Sequence, residues 1–284
     1  MTALKPLDRP MAASAAQPGW QALPSRDFVE IEVSGGKLNI ATIGAGPPLF
    51  LLHGWTLDHR VWAPQWFQLS QHFRLVMPDR RGFGVSTARP DLAAESDDIC
   101  AIADVLGIDR FGIVGMSQAG VIALDCALRY PDRISAVATL GAPLAGTVPG
   151  GDPMDRDRWA GMIASDDVVH MRAEWLAHPL MQTMNGDYRT LLESIVADYD
   201  GRDLLAPSVL PTIGTDDLAA IGVPVLAMAG TSDSPWRQSV ARFIGDKTPA
   251  GSYCSIPQGG HLANVCQPET FDARLTGFFR HFCN

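Results

Sequence analysis

A strand-like run, Phe111-Gly112-Ile113-Val114-Gly115-Met116, passes directly into Ser117-Gln118-Ala119-Gly120 and then into an apolar helical stretch closed by Tyr130-Pro131. The chain must turn from strand to helix within a few residues. That demand places the serine in a strained backbone conformation with its hydroxyl exposed. Only small neighbours leave room for such a turn, so Gly115 and Ala119 inform as much as the serine between them. Ala119 stands where the pattern G-x-S-x-G has its last glycine, and Gly120 follows. A chain of 284 residues matches so loose a pattern by chance about 0.2 times. The serine therefore needs a base, an acid and an oxyanion site elsewhere in the chain before it can be read as a nucleophile.

The surrounding sequence supplies a rhythm of short strands and helices. Phe28, Val29, Ile31 and Val33 alternate up to Ser34-Gly35-Gly36, and Leu38, Ile40 and Thr42 resume the pattern, which predicts a β-hairpin. Residues 48–52, 73–77, 134–140, 224–229 and 252–256 are short apolar runs of the kind that suits strands buried on both faces. Helical stretches are expected at 61–71, at 95–106 with Ser96-Asp97-Asp98 as cap and Gly107 as stop, and at 267–282. Between 140 and 224 the βα rhythm breaks. The breaker Pro149-Gly150-Gly151-Asp152-Pro153 introduces helical spacing at 154–164, 168–177 and 188–196. The prediction is an α/β fold, a mostly parallel sheet flanked by helices. Its core covers 26–143 and 215–284, with a helical cap at 144–214 over the carboxyl edge of the sheet, where open α/β sheets bind ligands. Residues 1–25, with Pro6, Pro10, Pro18 and Pro24, read as a poorly ordered N-terminal arm.

Charge and cysteine usage narrow the class. A net charge of -9 without a Lys/Arg run argues against nucleic acid and against an anionic membrane as partner. No apolar run reaches the roughly 18 residues that span a bilayer, and the first residues lack the apolar centre of a signal peptide. Cys100, Cys126, Cys254, Cys266 and Cys283 are an odd set without metal-ligand spacing, which fits free thiols in a cytoplasmic protein with no metal and no cofactor. A small-molecule substrate is the expected partner, and oligomeric state is left open.

A serine hydroxyl attacks only when a base takes its proton, and the base needs an orienting acid. Gly230-Thr231-Ser232-Asp233 directly follows one predicted strand and Gln258-Gly259-Gly260-His261 the last one, placing Asp233 and His261 at carboxyl ends. The order Ser117, Asp233, His261 differs from both the chymotrypsin and the subtilisin order. Taken alone, Asp233 equally suits a cap for the turn at Ser234-Pro235-Trp236, and His261 a loop histidine. His59, His72 and His281 fall on helical or surface segments, and His170 and His178 in the cap. The tetrahedral anion needs backbone donors: the N–H of Gln118 at its helix start, and the N–H of Trp55 after the tight turn at Gly54. His53 then braces that loop.

These blocks together resemble the α/β-hydrolase superfamily. The resemblance rests on Leu52-His53-Gly54-Trp55, Asp79-Arg80-Arg81-Gly82-Phe83-Gly84-Val85-Ser86, Gly115-Met116-Ser117-Gln118-Ala119, Gly230-Thr231-Ser232-Asp233 and Gly259-Gly260-His261, spread from about residue 28 to 283. It implies the α/β-hydrolase fold with Ser117 as nucleophile, His261 as base, Asp233 as its partner, and Trp55 and Gln118 as oxyanion donors. Serine at the turn departs from the aspartate of haloalkane dehalogenases and epoxide hydrolases. His53-Gly54-Trp55 is similar to the loop of the carboxylesterase of biotin synthesis. His261-Leu262-Ala263-Asn264 with Gln267-Pro268-Glu269 resembles 3-oxoadipate enol-lactonases and cofactor-free haloperoxidases.

The function expected is hydrolysis of a small carboxylic ester or lactone through an acyl-enzyme. Two alternatives use the same constellation: a carbon–carbon hydrolase of diketone-type ring-cleavage products, from which Leu262 departs because tryptophan often follows the catalytic histidine there, and a ligand receptor that retains the triad. In the cap, Met162, Met171, Trp175, Leu180, Met181 and Met184 suit either an apolar pocket or a helical core stripe. Trp62 suits core packing better than the pocket. Arg158, Arg172 and His178 suit solvated charges better than an acid-binding site, so neutral apolar acyl groups are expected to be preferred.

Overall fold

The alternation of inward and outward side chains along the strands decides how this molecule is layered. The computed structural model describes residues 27–182, 186–206 and 209–282; the expected arm at 1–25, Met184 and Cys283 lie outside them. The strands are β1 (Asp27–Val33), β2 (Gly36–Ile43), β3 (Pro48–Leu52), β4 (Arg74–Pro78), β5 (Phe111–Met116), β6 (Ile134–Leu140), β7 (Val225–Gly230) and β8 (Gly251–Ile256). They form one sheet in the order β1-β2-β4-β3-β5-β6-β7-β8. β1 pairs with β2 and β2 with β4 antiparallel, and every later pairing is parallel. This is an α/β-hydrolase fold, as the motif order implies.

Every residue of β5, β6 and β7 is buried, which is why these strands read as unbroken apolar runs. Leu49, Leu51, Val114, Met116, Leu140 and Met228 point to one core, while Phe50, Leu52, Ile113, Val137, Val225 and Ala227 point to the other. Helices cover both faces. In chain order they are α1 (Ala63–Ser70), α2 (Glu95–Val105), α3 (Gln118–Arg129), α4 (Arg156–Ala164), α5 (Val168–Ala177), α6 (Gly186–Asp198), α7 (Thr215–Ala220), α8 (Pro235–Lys247), α9 (Ala263–Cys266) and α10 (Pro268–Phe279). The first core is closed by α1, α10 and side chains of α4 to α6. The second is closed by α2, α3, α7 and α8. Each fully buried aliphatic or aromatic side chain contributes roughly 1.5–3 kcal/mol relative to exposure. Among the described residues no helix is long and apolar enough to cross a membrane.

Three local expectations change. The stretch 61–71 opens with a 3-10 turn, His59–Trp62, whose N-cap Asp58 accepts from the Arg60 N–H, before α1 begins. That turn carries His59 inward, where its ring N–H donates to Asp79 at 2.7 Å, so His59 is a core residue rather than a surface one. Burial works against the charge on Asp79, yet the His59 ring and backbone N–H hold its carboxyl below the ordinary carboxylate range. Ser96 does not cap α2: the helix starts at Glu95, and the Ser96 hydroxyl donates to Asp125 on α3 at 2.5 Å. Glu95, Asp97 and Asp98 then occupy the first turn, where the helix dipole favours negative charge.

Asp272 on α10 is 3 % exposed, and its Oδ1 has no hydrogen-bond partner among the described residues. Burial pushes this carboxyl up to about 7, against an opposing contact from Gln65. Between about pH 4 and about pH 7 the unfolded chain has released this proton while the folded chain keeps it, so this group makes stability fall as pH rises. Asp272→Asn removes the titration. Relative to the parent, its stability in urea denaturation should improve by more than about 1 kcal/mol on going from about pH 5 to about pH 8. A gap that does not change with pH would show that the buried carboxyl does not titrate in this range.

Candidate active site

β5 feeds straight into α3 through Ser117, whose backbone sits at φ 53 and ψ -124. A non-glycine residue holds such a conformation only when its surroundings over-determine it. The Ser117 N–H donates to the Leu140 carbonyl at 2.7 Å, and its carbonyl accepts from the Gly120 N–H at 2.8 Å. A Cβ at Gly115 would lie 2.1 Å from the Ala119 carbonyl oxygen, and one at Gly120 would lie 2.6 Å from the Ala142 Cβ. The departure from the usual pattern is thereby explained. Here the close approach to the neighbouring strand end falls on Gly120, and Ala119 packs fully buried in the second core.

The loops after β7 and β8 are laced together. Ser232 N–H donates to the Gly259 carbonyl at 2.8 Å, Thr231 N–H to Ile256 at 3.0 Å, and Gln258 N–H to the Thr231 hydroxyl at 2.9 Å. This brings Asp233 and His261 together from 28 residues apart, with His261 Nδ1 donating to Asp233 Oδ2 at 3.0 Å. Both are buried, at 5 % and 6 % exposure, and Asp233 Oδ1 accepts from the Ser234 N–H at 2.7 Å. The end of β6 also takes part, which the sequence reading missed. At Gly141, φ +58, a Cβ would lie 2.8 Å from the His261 ring and 3.1 Å from Asp233 Oδ2. Arg237 donates to the Gly141 carbonyl at 2.5 Å and to Asp152 Oδ2 at 2.5 Å, and Ser234 donates its hydroxyl to Asp152 Oδ1 at 2.6 Å. Burial raises the cost of charge on Asp152, but Arg237 and the Ser234 hydroxyl outweigh it and lower its pKa.

Beyond β3, the loop His53-Gly54-Trp55 is oriented from beneath by Arg80. A carbonyl only accepts, so His53 Nδ1 carries the proton that it shares with Gly54 O at 2.8 Å. Its Nε2 is then the acceptor for the Arg80 backbone N–H at 2.9 Å. Burial first, and the Arg80 charge second, push the His53 pKa down to about 3, which keeps this tautomer neutral. The consequence is geometric. Gly54 C=O and Trp55 N–H share one trans peptide plane and point opposite ways, so tying down the carbonyl aims the N–H. The Arg80 guanidinium also donates to the His53 carbonyl at 2.9 Å and to Gln118 Oε1 at 3.0 Å, while pairing with Glu95 at 2.7 Å. One buried cation thus braces Gln118 directly and, through His53 and the Gly54 carbonyl, the peptide plane that carries the Trp55 N–H.

Ser117, His261, Trp55 and Gln118 all border a single cavity of about 360 Å³, while Asp233 stands behind His261. Of the apolar residues expected around it, Trp175, Leu180 and Met181 line the cavity and Met154 joins them. Met171 and Trp62 are instead fully buried in the first core, and Met162 packs against it. Arg158 pairs with Glu174, Arg172 donates to the Tyr199 carbonyl, and His178 bonds to the Pro153 carbonyl. Two cations do border the cavity: Arg237, paired with Asp152, and Arg156, which lies over the Trp55 ring at 4.6 Å. Nothing in the run Asp155-Arg156-Asp157-Arg158 distinguishes it from its neighbour.

The turn at Ser117 makes a paired prediction. Gly115→Ala should cost about 3 kcal/mol or more of stability, because its Cβ meets a helix carbonyl that cannot retreat. Ala119→Gly, which restores the usual pattern, should cost only about 1 kcal/mol. Urea denaturation of both variants reads the difference, and equal losses would contradict the steric account.

Comparison with known proteins agrees with this architecture. The family model for the alpha/beta hydrolase fold matches residues 47–266. A pimeloyl-[acyl-carrier protein] methyl ester esterase of Nitrosomonas europaea is 30 % identical over 259 residues, covering 83 % of this chain and 96 % of the relative. A putative carbamate hydrolase RutD of Agrobacterium fabrum is 24 % identical, covering 84 % and 94 %. Among solved structures, the enol-lactonase of Burkholderia xenovorans LB400 superposes with a TM-score of 0.76 at 22 % identity, covering 88 % of this chain and 99 % of that one. A bromoperoxidase of Bacillus anthracis does so with a TM-score of 0.74 at 20 % identity, covering 90 % and 100 %. A match running from the start of β3 to the end of α9 takes in every loop that builds the cavity, and on that ground the chain belongs to the alpha/beta hydrolase fold family.

Proposed function

We propose that this chain hydrolyses a small carboxylic ester or lactone through an acyl-enzyme formed on Ser117. The observation that carries this reading is the strained Ser117, φ 53, opening on the same cavity as a His261 that is hydrogen-bonded to buried Asp233. His261 takes the Ser117 hydroxyl proton as the oxygen attacks the substrate carbonyl. The tetrahedral anion accepts hydrogen bonds from Trp55 N–H and Gln118 N–H, the latter at the start of α3 where the helix dipole adds to the donor. Collapse expels the alcohol, which receives its proton from His261. Water then attacks the acyl-enzyme with His261 as base and returns Ser117 as the acid leaves. Asp233 holds the imidazole in the tautomer with Nδ1 protonated, leaving Nε2 for the serine.

The segment 144–214 acts as a cap in this reading. Its Met154, Trp175, Leu180 and Met181 give the acyl group an apolar wall, and the cavity is at the small end of ligand pockets. Relatives named as a methyl ester esterase and an enol-lactonase support the ester or lactone class. Arg237 is compensated by Asp152, and Arg156 lies within 3.6 Å of Asp203, so neutral acyl groups of short to medium length fit the wall best.

Ser117→Ala should lower turnover of p-nitrophenyl butyrate by about 10³-fold or more while leaving the melting temperature within a few degrees. Turnover that survives this substitution would refute the acyl-enzyme. A panel of esters and lactones should show neutral butyryl to hexanoyl groups ahead of dicarboxylate half-esters, and the opposite ranking would count against the apolar wall.

A further inference from the structure

Trp55 is held from two sides, and one of them is the segment between β6 and β7. Thr56, next in the chain, sits at φ 63, a left-handed conformation that a β-branched residue keeps only under constraint. Its hydroxyl donates to the Trp55 carbonyl at 2.7 Å and accepts the Trp175 indole N–H from α5 at 2.6 Å. The Trp55 indole donates to Asp203 Oδ2 at 2.7 Å, and the Tyr199 hydroxyl donates to Asp203 Oδ1 at 2.5 Å. Trp55, Thr56, Trp175, Tyr199 and Asp203 are all buried, so these bonds are made where solvent screens them little. The Trp55 and Trp175 rings meet edge to face, 4.7 Å between centroids.

The geometry points to Trp175, acting through Thr56, as a positioning residue for the oxyanion site: the segment that roofs the cavity also fixes the residue whose N–H receives the anion. This inference rests on the reading of Trp55 as an oxyanion donor. The Trp55 residue lies between two fixed peptide planes. His53 and Arg80 fix the plane before its Cα, and Thr56 with Trp175 fixes the plane after it. Releasing the second plane lets Thr56 relax from its left-handed conformation and tilts the first. A ground-state carbonyl binds a tilted donor almost as well as an aligned one, whereas the developing anion does not. The loss therefore falls on kcat rather than KM.

The test compares Thr56→Val, Thr56→Ser and Trp175→Phe with the parent, reading kcat and KM on p-nitrophenyl butyrate and the rate of Ser117 labelling by a fluorophosphonate. Thr56→Val should lower kcat by about 10-fold or more with KM within about twofold, and should slow labelling by a similar factor; Trp175→Phe, which also reshapes the acyl wall and so shifts KM, should lower kcat and slow labelling to the same extent. Combining them should cost no more than the worse single change, because both break the same chain of hydrogen bonds. Thr56→Ser keeps the hydroxyl and should stay within about twofold of the parent in kcat. Single variants that keep the parental kcat, or that change KM alone, would overturn the positioning role. Should Trp175→Phe melt below the assay temperature, the Val and Ser pair at position 56 decides alone. Ser117→Ala, run alongside, separates the two readings. If it still turns over ester, the acyl-enzyme itself falls; if it is inactive while the Val and Phe variants behave as the parent, only the positioning role falls.

Discussion

The left-handed backbone at Ser117 is the constraint around which the rest of this molecule is arranged. Such a conformation costs of order 1–3 kcal/mol, and it persists because neighbouring elements leave no alternative. β5 ends one residue earlier, α3 starts one residue later, and the Ser117 N–H is tied to the end of β6. Gly115 and Gly120 lie where no side chain fits. A fully buried parallel sheet supplies the rigidity: β5 has β3 on one side and β6 on the other, both in continuous register beside the turn. The loops that carry Trp55 and Gly141 leave from those two neighbours, so the strand order itself decides which residues can meet at Ser117.

Charge inside the frame serves orientation rather than net stability. Arg80 pairs with Glu95, yet burial still raises the Glu95 pKa, as expected when desolvation rivals Coulomb attraction. What Arg80 accomplishes is angular: it holds His53 by ring and carbonyl, and Gln118 by its side chain. Arg81 pairs with Asp98 on α2 and reaches the Ser34 carbonyl, pinning the β1–β2 turn to the same helix. Arg237 does the corresponding work on the other flank, joining Asp152 to the Gly141 turn beneath His261.

Much of this was legible in the sequence because it is local. The strands with both faces buried announce themselves as unbroken apolar runs, and a strand followed at once by small residues and a serine states its own turn. Asp233 and His261 could be found because each follows a strand directly. Contacts between remote segments left no such trace. Trp55 and Asp203 are 148 residues apart, and Trp175 and Thr56 are 119 apart. Thr56 carries no residue signature for positive φ, since glycine or asparagine would ordinarily mark it. The roles of Arg156 and Asp152 were hidden for another reason. Charged residues in a helix or a breaker loop look solvated until the fold places a cavity or an ion pair beside them.

The same bonds bear on how such a segment can be exchanged between relatives. Asp152 lies early in the stretch between β6 and β7, yet its partners Ser234 and Arg237 belong to α8 and its cap. It behaves as part of the frame. Trp175 and Asp203, by contrast, have their partners at 55 and 56, far up the chain. A recombination boundary drawn at the strand ends would therefore cut through two sets of interactions at once. The inheritable unit is the later part of the segment together with two residues of the loop after β3, a module that is discontinuous in sequence and contiguous only in the folded molecule.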